Sequence, residues 1–242
     1  MFVLVATLSA QEKEKPTPPK TDPSKSRRAL RFSTDLKNMG RGATSTADRL
    51  PTIDKTEAAV VKAVDWLTSE QQEEGYWEGT MSKVANTGLV ILCYLSYGVL
   101  PEDDTKYGKA LSKAVDWLAK QPNEFGSMRE GMAVAHWMYN QAIGTLALAE
   151  LFILTKDEKY KKPLEATVEF LAKAQHPERG GWRYTPRVSR DTKQLDLSVS
   201  GYVYCALQSA KEAGINMPNG MLEKANEYID SLSSGESKGL YG

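Results

Sequence analysis

The side chains that could carry acid–base chemistry are few in this chain. Carboxylates cluster at Glu102-Asp103-Asp104, directly after Gly98 and Pro101. That context is a turn leaving one helix, where an aspartate caps the helix that follows. Asp191 and Asp196 suit a proton donor better, because they stand before the apolar run from Leu197 to Leu207. A donor needs a raised pKa. Asp196 followed by Leu-Ser-Val also reads as an N-cap, a role that keeps a carboxylate ionised. Cys93 and Cys205 fall inside apolar runs and read as core filling. His176 precedes Pro177 in a polar turn and reads as exposed. His136, in Ala135-His136-Trp137-Met138-Tyr139-Asn140-Gln141, opens an apolar run and is the histidine with a cavity address. No pair of these residues has metal-ligand spacing, and two cysteines are too few for a four-thiolate zinc site or a disulfide scaffold. The nucleophile elbow, the P-loop and the dinucleotide fingerprint are absent. The sequence therefore reads as holding no catalytic centre, metal or cofactor. Asp196, Asp191 and His136 are the residues a catalytic reading would have to use.

The elements that must position these residues come from a repeat. Lys62-Ala63-Val64-Asp65-Trp66-Leu67 returns as Lys113-Ala114-Val115-Asp116-Trp117-Leu118. It returns again around Glu165-Ala166 and Phe170-Leu171, and as Lys224-Ala225-Asn226-Glu227-Tyr228-Ile229. The aromatics Trp66, Trp117, Phe170 and Tyr228 step by 51, 53 and 58 residues, enough for two helices and two loops. Each phrase sits in an amphipathic helix. Asp54 and Glu57 have capping-box spacing ahead of Ala58 to Ser69, and Val60, Ala63, Val64 and Leu67 form an i, i+3, i+4, i+7 stripe. The aspartate and lysines of the phrase lie on other faces and read as solvated.

A greasier helix follows each phrase, over Gly88–Leu95, Ala142–Leu154 and Leu197–Leu207. A helix apolar on every side is a buried helix. Gly88, Gly144 and Gly201 recur 56 and 57 residues apart, and close helix contacts are expected to compensate for them. Each repeat thus predicts one outer amphipathic helix and one inner buried helix. The expected fold is all-α, with repeated outer and inner helix pairs in an incomplete α/α toroid of about three and a half repeats.

Between the two helices lies a glycine-aromatic turn: Gln71, Gly75 and Trp77, then Gln175, Gly180 and Trp182. Repeat two is degenerate, with Gln121 and Phe125-Gly126 but no tryptophan, and repeat four has Ser231 and Gly239-Leu240-Tyr241. A glutamine near a helix end can use its amide on orphan carbonyls or on the amino groups opening the next helix. These six residues are therefore assigned a structural role.

Residues 1–10 are apolar but for Thr7 and Ser9 and end in small residues, as a signal-peptide h-region does, so export to the periplasm or outside is expected. Residues 11–51 form a polar, proline-rich linker; within 11–31 lie seven basic and three acidic side chains, and such a segment stays unfolded. The repeat domain spans 52–242 and is cut in its fourth repeat. Over the whole chain 31 basic side chains balance 31 acidic ones, which argues against a nucleic-acid partner. No apolar run reaches the ~18 residues of a membrane span.

With these residues in place, Lys62-Ala63, Trp66-Leu67, Gln71, Gly75 and Trp77 resemble the QW motif of squalene and oxidosqualene cyclases. Glu165-Ala166, Phe170-Leu171, Gln175, Gly180 and Trp182 resemble a looser second copy. The resemblance extends over roughly residues 54–242, to the terpenoid-cyclase and protein-prenyltransferase superfamily with its prenyltransferase and squalene-oxidase repeats. It implies the α/α toroid, and it makes Trp137, Tyr139, Tyr202 and Tyr204 candidates to line a cavity. The D-x-D-D acid of the class II cyclases, the zinc-ligand pattern of the prenyltransferases and the Cys-Gly-Glu-Gln thioester segment are absent. The functional expectation is an exported, non-catalytic helical repeat module that binds a partner protein or an apolar ligand in its concave cavity. The alternative is an isoprenoid cyclase or a prenyltransferase-type enzyme fragment. Three and a half helix pairs do not close the ring of six that the resemblance implies, so either C-terminal repeats are missing or the chain closes by self-association.

Overall fold

The computed structural model describes residues 53–79, 82–129, 136–186, 194–218, 220–234 and 240–241. The expected signal segment 1–10, the linker 11–51 and Asp191 lie outside the described residues. The described chain is all-helical: α1 (Ile53–Ser69), α2 (Lys83–Tyr97), α3 (Lys106–Leu118), α4 (Trp137–Thr155), a short 3-10 turn (Glu158–Tyr160), α5 (Lys161–Lys173), α6 (Leu197–Glu212) and α7 (Met221–Ser231). A two-residue antiparallel pairing of β1 (Ser233–Ser234) with β2 (Leu240–Tyr241) follows α7.

Helices with the repeated phrase alternate with the apolar ones, as expected. The apolar helices α2, α4 and α6 pack side by side with α4 in the middle, and α3, α5 and α7 pack against α2, α4 and α6 in turn. Position explains composition: α4 has neighbours on three sides and buries twelve of its residues, including Gln141 and Thr145. The amphipathic helices bury one stripe each, Tyr107, Leu111, Val115 and Leu118 in α3 and Leu164, Val168 and Leu171 in α5. Helix α1 is the outlier. Val64 is buried and Leu67 half-buried, but Ala63 is exposed and Val60 is 40% exposed, so half of the expected stripe is uncovered.

Several local signals resolve differently from the sequence expectation. Helix α1 begins at Ile53, ahead of the expected cap at Asp54. The acidic run after α2 does not cap α3; Thr105 does, accepting from the Gly108 N–H at 3.0 Å, while Asp103 Oδ2 closes the preceding turn on the Leu100 N–H at 2.7 Å. A hydroxyl next to the helix outcompetes carboxylates farther back in the loop. Asp65 is not simply solvated. It accepts from Tyr107 Oη at 2.6 Å and pairs with Lys106 Nζ at 2.5 Å, tying α1 to α3. These bonds, the one from Lys106 foremost, hold its carboxyl below the usual range.

Gly88 meets the expected close contact, since a Cβ there would stand 3.0 Å from Ile143 Cγ2 on α4. Gly144 is crowded as well, but by Met128 Sδ of the preceding turn, which a Cβ would approach to 2.6 Å. Gly201 is not: nothing lies within 4 Å of its missing Cβ. The turn glycines matter more. Gly75, Gly126 and Gly180 all have positive φ, at 107°, 80° and 76°. In each case a Cβ would collide with a backbone carbonyl of the next amphipathic helix, that of Lys113, Ala166 or Lys224.

This contrast sets a test. Gly126→Ala should cost about 2–4 kcal/mol, because a left-handed backbone and an overlap with the Ala166 carbonyl act together. Gly201→Ala should stabilise by about 0.5–1 kcal/mol, because it removes only helix-interior chain entropy. Urea unfolding of both variants checks the opposite signs.

Candidate functional site

The turns decide where the apolar helices start. Gln71 Nε2 donates to the Gly75 carbonyl at 3.0 Å and across to the Ala110 carbonyl of α3 at 2.8 Å. Gln175 Nε2 repeats this on Gly180 at 2.8 Å and on Met221 of α7 at 2.9 Å. Trp77 and Trp182, both buried, donate their indole N–H back to Leu67 and Leu171 at 2.7 and 2.9 Å. Their backbone N–H groups donate to Thr87 Oγ1 and Ser200 Oγ on the following apolar helices. The amide therefore works on carbonyls, not on the amino groups of the next helix.

The degenerate repeat reaches the same result by another residue. Gln121 only donates back to Trp117 O at 2.9 Å. Gln141, fully buried on α4, donates to the Gly126 carbonyl at 2.9 Å and accepts from the Met128 N–H at 2.8 Å. It does the work of both the turn glutamine and the helix hydroxyl. His176 corrects the expectation of exposure. It is fully buried, and its Nδ1 accepts from the N–H groups of Glu178 and Arg179 at 3.2 and 3.0 Å, capping its own turn.

With the starts of α4 and α6 pinned, one cluster of polar and aromatic side chains forms between them. The Met138 N–H donates to the Tyr184 carbonyl at 3.1 Å, and the Asp196 N–H to the Trp182 carbonyl at 2.9 Å. Tyr139 then stands at the centre of a group of aromatic rings. Its ring centroid lies 6.0 Å from Tyr184, 5.7 Å from Tyr202 edge-on, and 6.3 Å from His136. Tyr184 Oη donates to Asp196 Oδ2 at 2.8 Å, Ser198 Oγ donates to Asp196 Oδ1 at 2.6 Å, and the hydroxyls of Tyr139 and Ser198 share a hydrogen bond. Tyr184 and Tyr202 are 38% and 44% exposed, so the group meets solvent as a surface.

Asp196 is the N-cap of α6, with Oδ1 accepting from the Val199 N–H at 2.9 Å. Burial pushes its pKa up, but the bonds from Ser198, Val199 and Tyr184 outweigh burial and leave it below its ordinary value. A carboxylate in that state cannot act as a general acid near neutrality. The same bond to Asp196 holds the Tyr184 phenol above its ordinary value.

The other predicted residues are elsewhere. Trp137 turns away from the cluster: its ring lies 6.1 Å from Phe170 and 4.8 Å from the Arg129 guanidinium, and its N–H donates to Ser127 Oγ at 3.2 Å. Tyr204 is half-buried against the core, and its hydroxyl accepts from Gln208 at 2.6 Å. Cys93 and Cys205 are unpaired and exposed, not core filling, because they sit on the faces of α2 and α6 that no described neighbour covers. Desolvation raises both thiols above their ordinary value, so neither is an activated nucleophile. Among the described residues, no three His, Cys, Asp or Glu side chains are grouped to hold a metal, and no helix is long and apolar enough to cross a membrane. A cleft of about 290 Å³, lined by Pro101, Glu102, Ser112, Thr155, Asp157, Lys159 and Tyr160, takes in Glu102 of the acidic run but none of Asp196, His136 or the candidate cavity aromatics.

Sequence reasoning missed Tyr184, Ser198 and Gln141. Tyr184 follows the tryptophan by two residues, as Asp196 precedes Ser198 by two, but nothing in either spacing says that the two segments meet. The chain matches no protein-family model, no curated protein and no solved structure.

Two outcomes are expected. Gln141→Ala should cost about 2 kcal/mol, since it orphans a buried N–H and a buried carbonyl, while Gln121→Ala should cost under about 0.5 kcal/mol. Asp196→Ala should cost about 0.5–2 kcal/mol at neutral pH. Because folding lowers the Asp196 pKa, its contribution is complete above about pH 5 and is lost as pH falls through 3.8 toward the folded value. The gap between wild type and variant, measured by urea unfolding, should narrow over that range.

Proposed function

We propose that the chain is a non-catalytic helical repeat module, arranged as an open α/α toroid of the terpenoid-cyclase type, that binds a partner protein on the face formed by α2, α4 and α6. The observation that carries this reading is the tyrosine cluster at the starts of α4 and α6, in which exposed Tyr184 and Tyr202 pack on half-buried Tyr139. Tyrosine offers large contact area at low entropic cost and is concentrated at interface hot spots. Leu89, 39% exposed on α2, adds apolar area on the same layer. An open surface of this kind suits a protein segment better than a small apolar ligand, which needs a pocket that encloses most of its surface.

The side-by-side apolar helices and the recurring glutamine–tryptophan turns support kinship with the squalene-cyclase repeat. The apolar start from Met1 to Ala10 supports export. Over the isoprenoid-cyclase alternative, the module reading is favoured by Asp196, which caps α6 with its carboxyl held below its ordinary value.

The test uses Tyr202→Ala, a substitution at an exposed position. A partner captured by the full chain should bind the variant at least about tenfold more weakly, in line with loss of a hot-spot side chain. The helical circular dichroism and melting temperature should not change. Unchanged affinity would refute the assignment of this face.

A further inference from the structure

The hydroxyl protons around Asp196 all run toward it. Its carboxyl is held below the ordinary value, so both oxygens only accept. Tyr184 Oη donates to Oδ2 at 2.8 Å, and Ser198 Oγ donates to Oδ1 at 2.6 Å. A serine hydroxyl has one proton, and Asp196 already takes that of Ser198. The bond between Tyr139 and Ser198 must then run from the Tyr139 hydroxyl to Ser198 Oγ. The Val199 N–H at the start of α6 is spent on Oδ1 as well, at 2.9 Å.

Three hydroxyls have thus used their donors inside the network, and what they and the carboxylate have left to offer is lone pairs. The rings carry the same sign, because the face of an aromatic ring is the negative part of its quadrupole. Tyr184 and Tyr202 are exposed, and both pack on half-buried Tyr139, with ring planes inclined to it by 41° and 80°. Rings inclined in this way to a shared central ring make a corner and not a flat apolar patch. The nearby guanidinium of Arg183 is engaged elsewhere, donating to the Gln194 carbonyl at 2.7 Å. The positive end of the α6 dipole offsets part of the Asp196 charge, so selection here comes from the direction of the hydrogen bonds as well as from charge.

A surface that only accepts selects a group that only donates. Guanidinium is such a group: it is planar, permanently charged, has N–H donors and no acceptor, and stacks flat on aromatic rings. Ammonium also lacks an acceptor but is a compact, strongly hydrated charge that does not stack. On the reading that this face binds the partner protein, we propose that the corner of Tyr184, Tyr202 and Asp196 receives an arginine side chain of that partner.

The test uses the full chain and small probes. N-acetyl-arginine amide, its lysine counterpart and its citrulline counterpart are titrated in turn while the tyrosine ring resonances are followed by NMR. Citrulline has the shape of arginine, but it is neutral and carries an acceptor. The arginine compound should shift the Tyr184 and Tyr202 resonances to saturation. It should bind at least about tenfold more tightly than the citrulline compound, since its hydrogen bonds are charge-assisted. It should also bind more tightly than the lysine compound, and more weakly as salt is raised. Asp196→Asn keeps the helix cap, since asparagine caps as well as aspartate. It removes the charge and puts an amide donor against Tyr184 Oη, so the preference for arginine over citrulline should fall to within about twofold. Equal binding of the arginine and citrulline compounds overturns the proposal. So does tighter binding of the lysine compound, a preference that survives Asp196→Asn, or the absence of any ring shift with all three probes. A captured partner separates this from the reading of the face itself. Affinity indifferent to Tyr202→Ala takes both away, whereas affinity lost with Tyr202→Ala and kept with Asp196→Asn leaves the face and removes the arginine.

Discussion

The whole architecture hangs on the approach of a turn backbone to the backbone of the next helix. At Gly75, Gly126 and Gly180 no side chain could be inserted without striking a carbonyl. A contact this close leaves the helix register little freedom, because any slip would bury a turn carbonyl away from its partner. The glutamine amide then bridges both sides of the contact, on the turn glycine and on the next helix, at two of the three turns.

The second turn shows that the constraint is geometric and not a matter of residue identity. It lacks the tryptophan, and its glutamine faces the wrong way, yet the same carbonyl and the same N–H are satisfied by Gln141 from the following helix. A buried backbone group left unpaired costs about 1–3 kcal/mol, so some side chain must reach it. His176 answers the same demand in the third turn, where the imidazole takes two backbone N–H groups ahead of the tight Gly180-Gly181 bend.

Between the pinned starts of α4 and α6, polar and aromatic groups meet that no single turn contains. Three donors hold the Asp196 carboxyl below its ordinary value, and Tyr184 and Tyr202 nearby are exposed while Tyr139 is half-buried. The Asp196 carboxylate takes two hydrogen bonds on Oδ1 and one on Oδ2, which fixes the start of α6. Desolvation raises the pKa of both thiols, Cys93 and Cys205.

Local periodicity was enough to specify the all-helical class and the alternation of amphipathic and apolar helices, and short-range bonding specified the two glutamine–tryptophan turns. Each of these follows from a pattern or a bond that spans few residues. Asp196 as a cap was legible for the same reason. Which helix faces stay open was settled only by packing: the exposed thiols, the uncovered half of the α1 stripe and the space around Gly201 depend on whether a neighbour is present. Packing also assembled the tyrosine cluster. Tyr139, Tyr184 and Tyr202 come from three segments, and the docking of turn on helix is what brings their rings together. Periodicity says which face of a helix is apolar, but coverage of that face is a property of its neighbours.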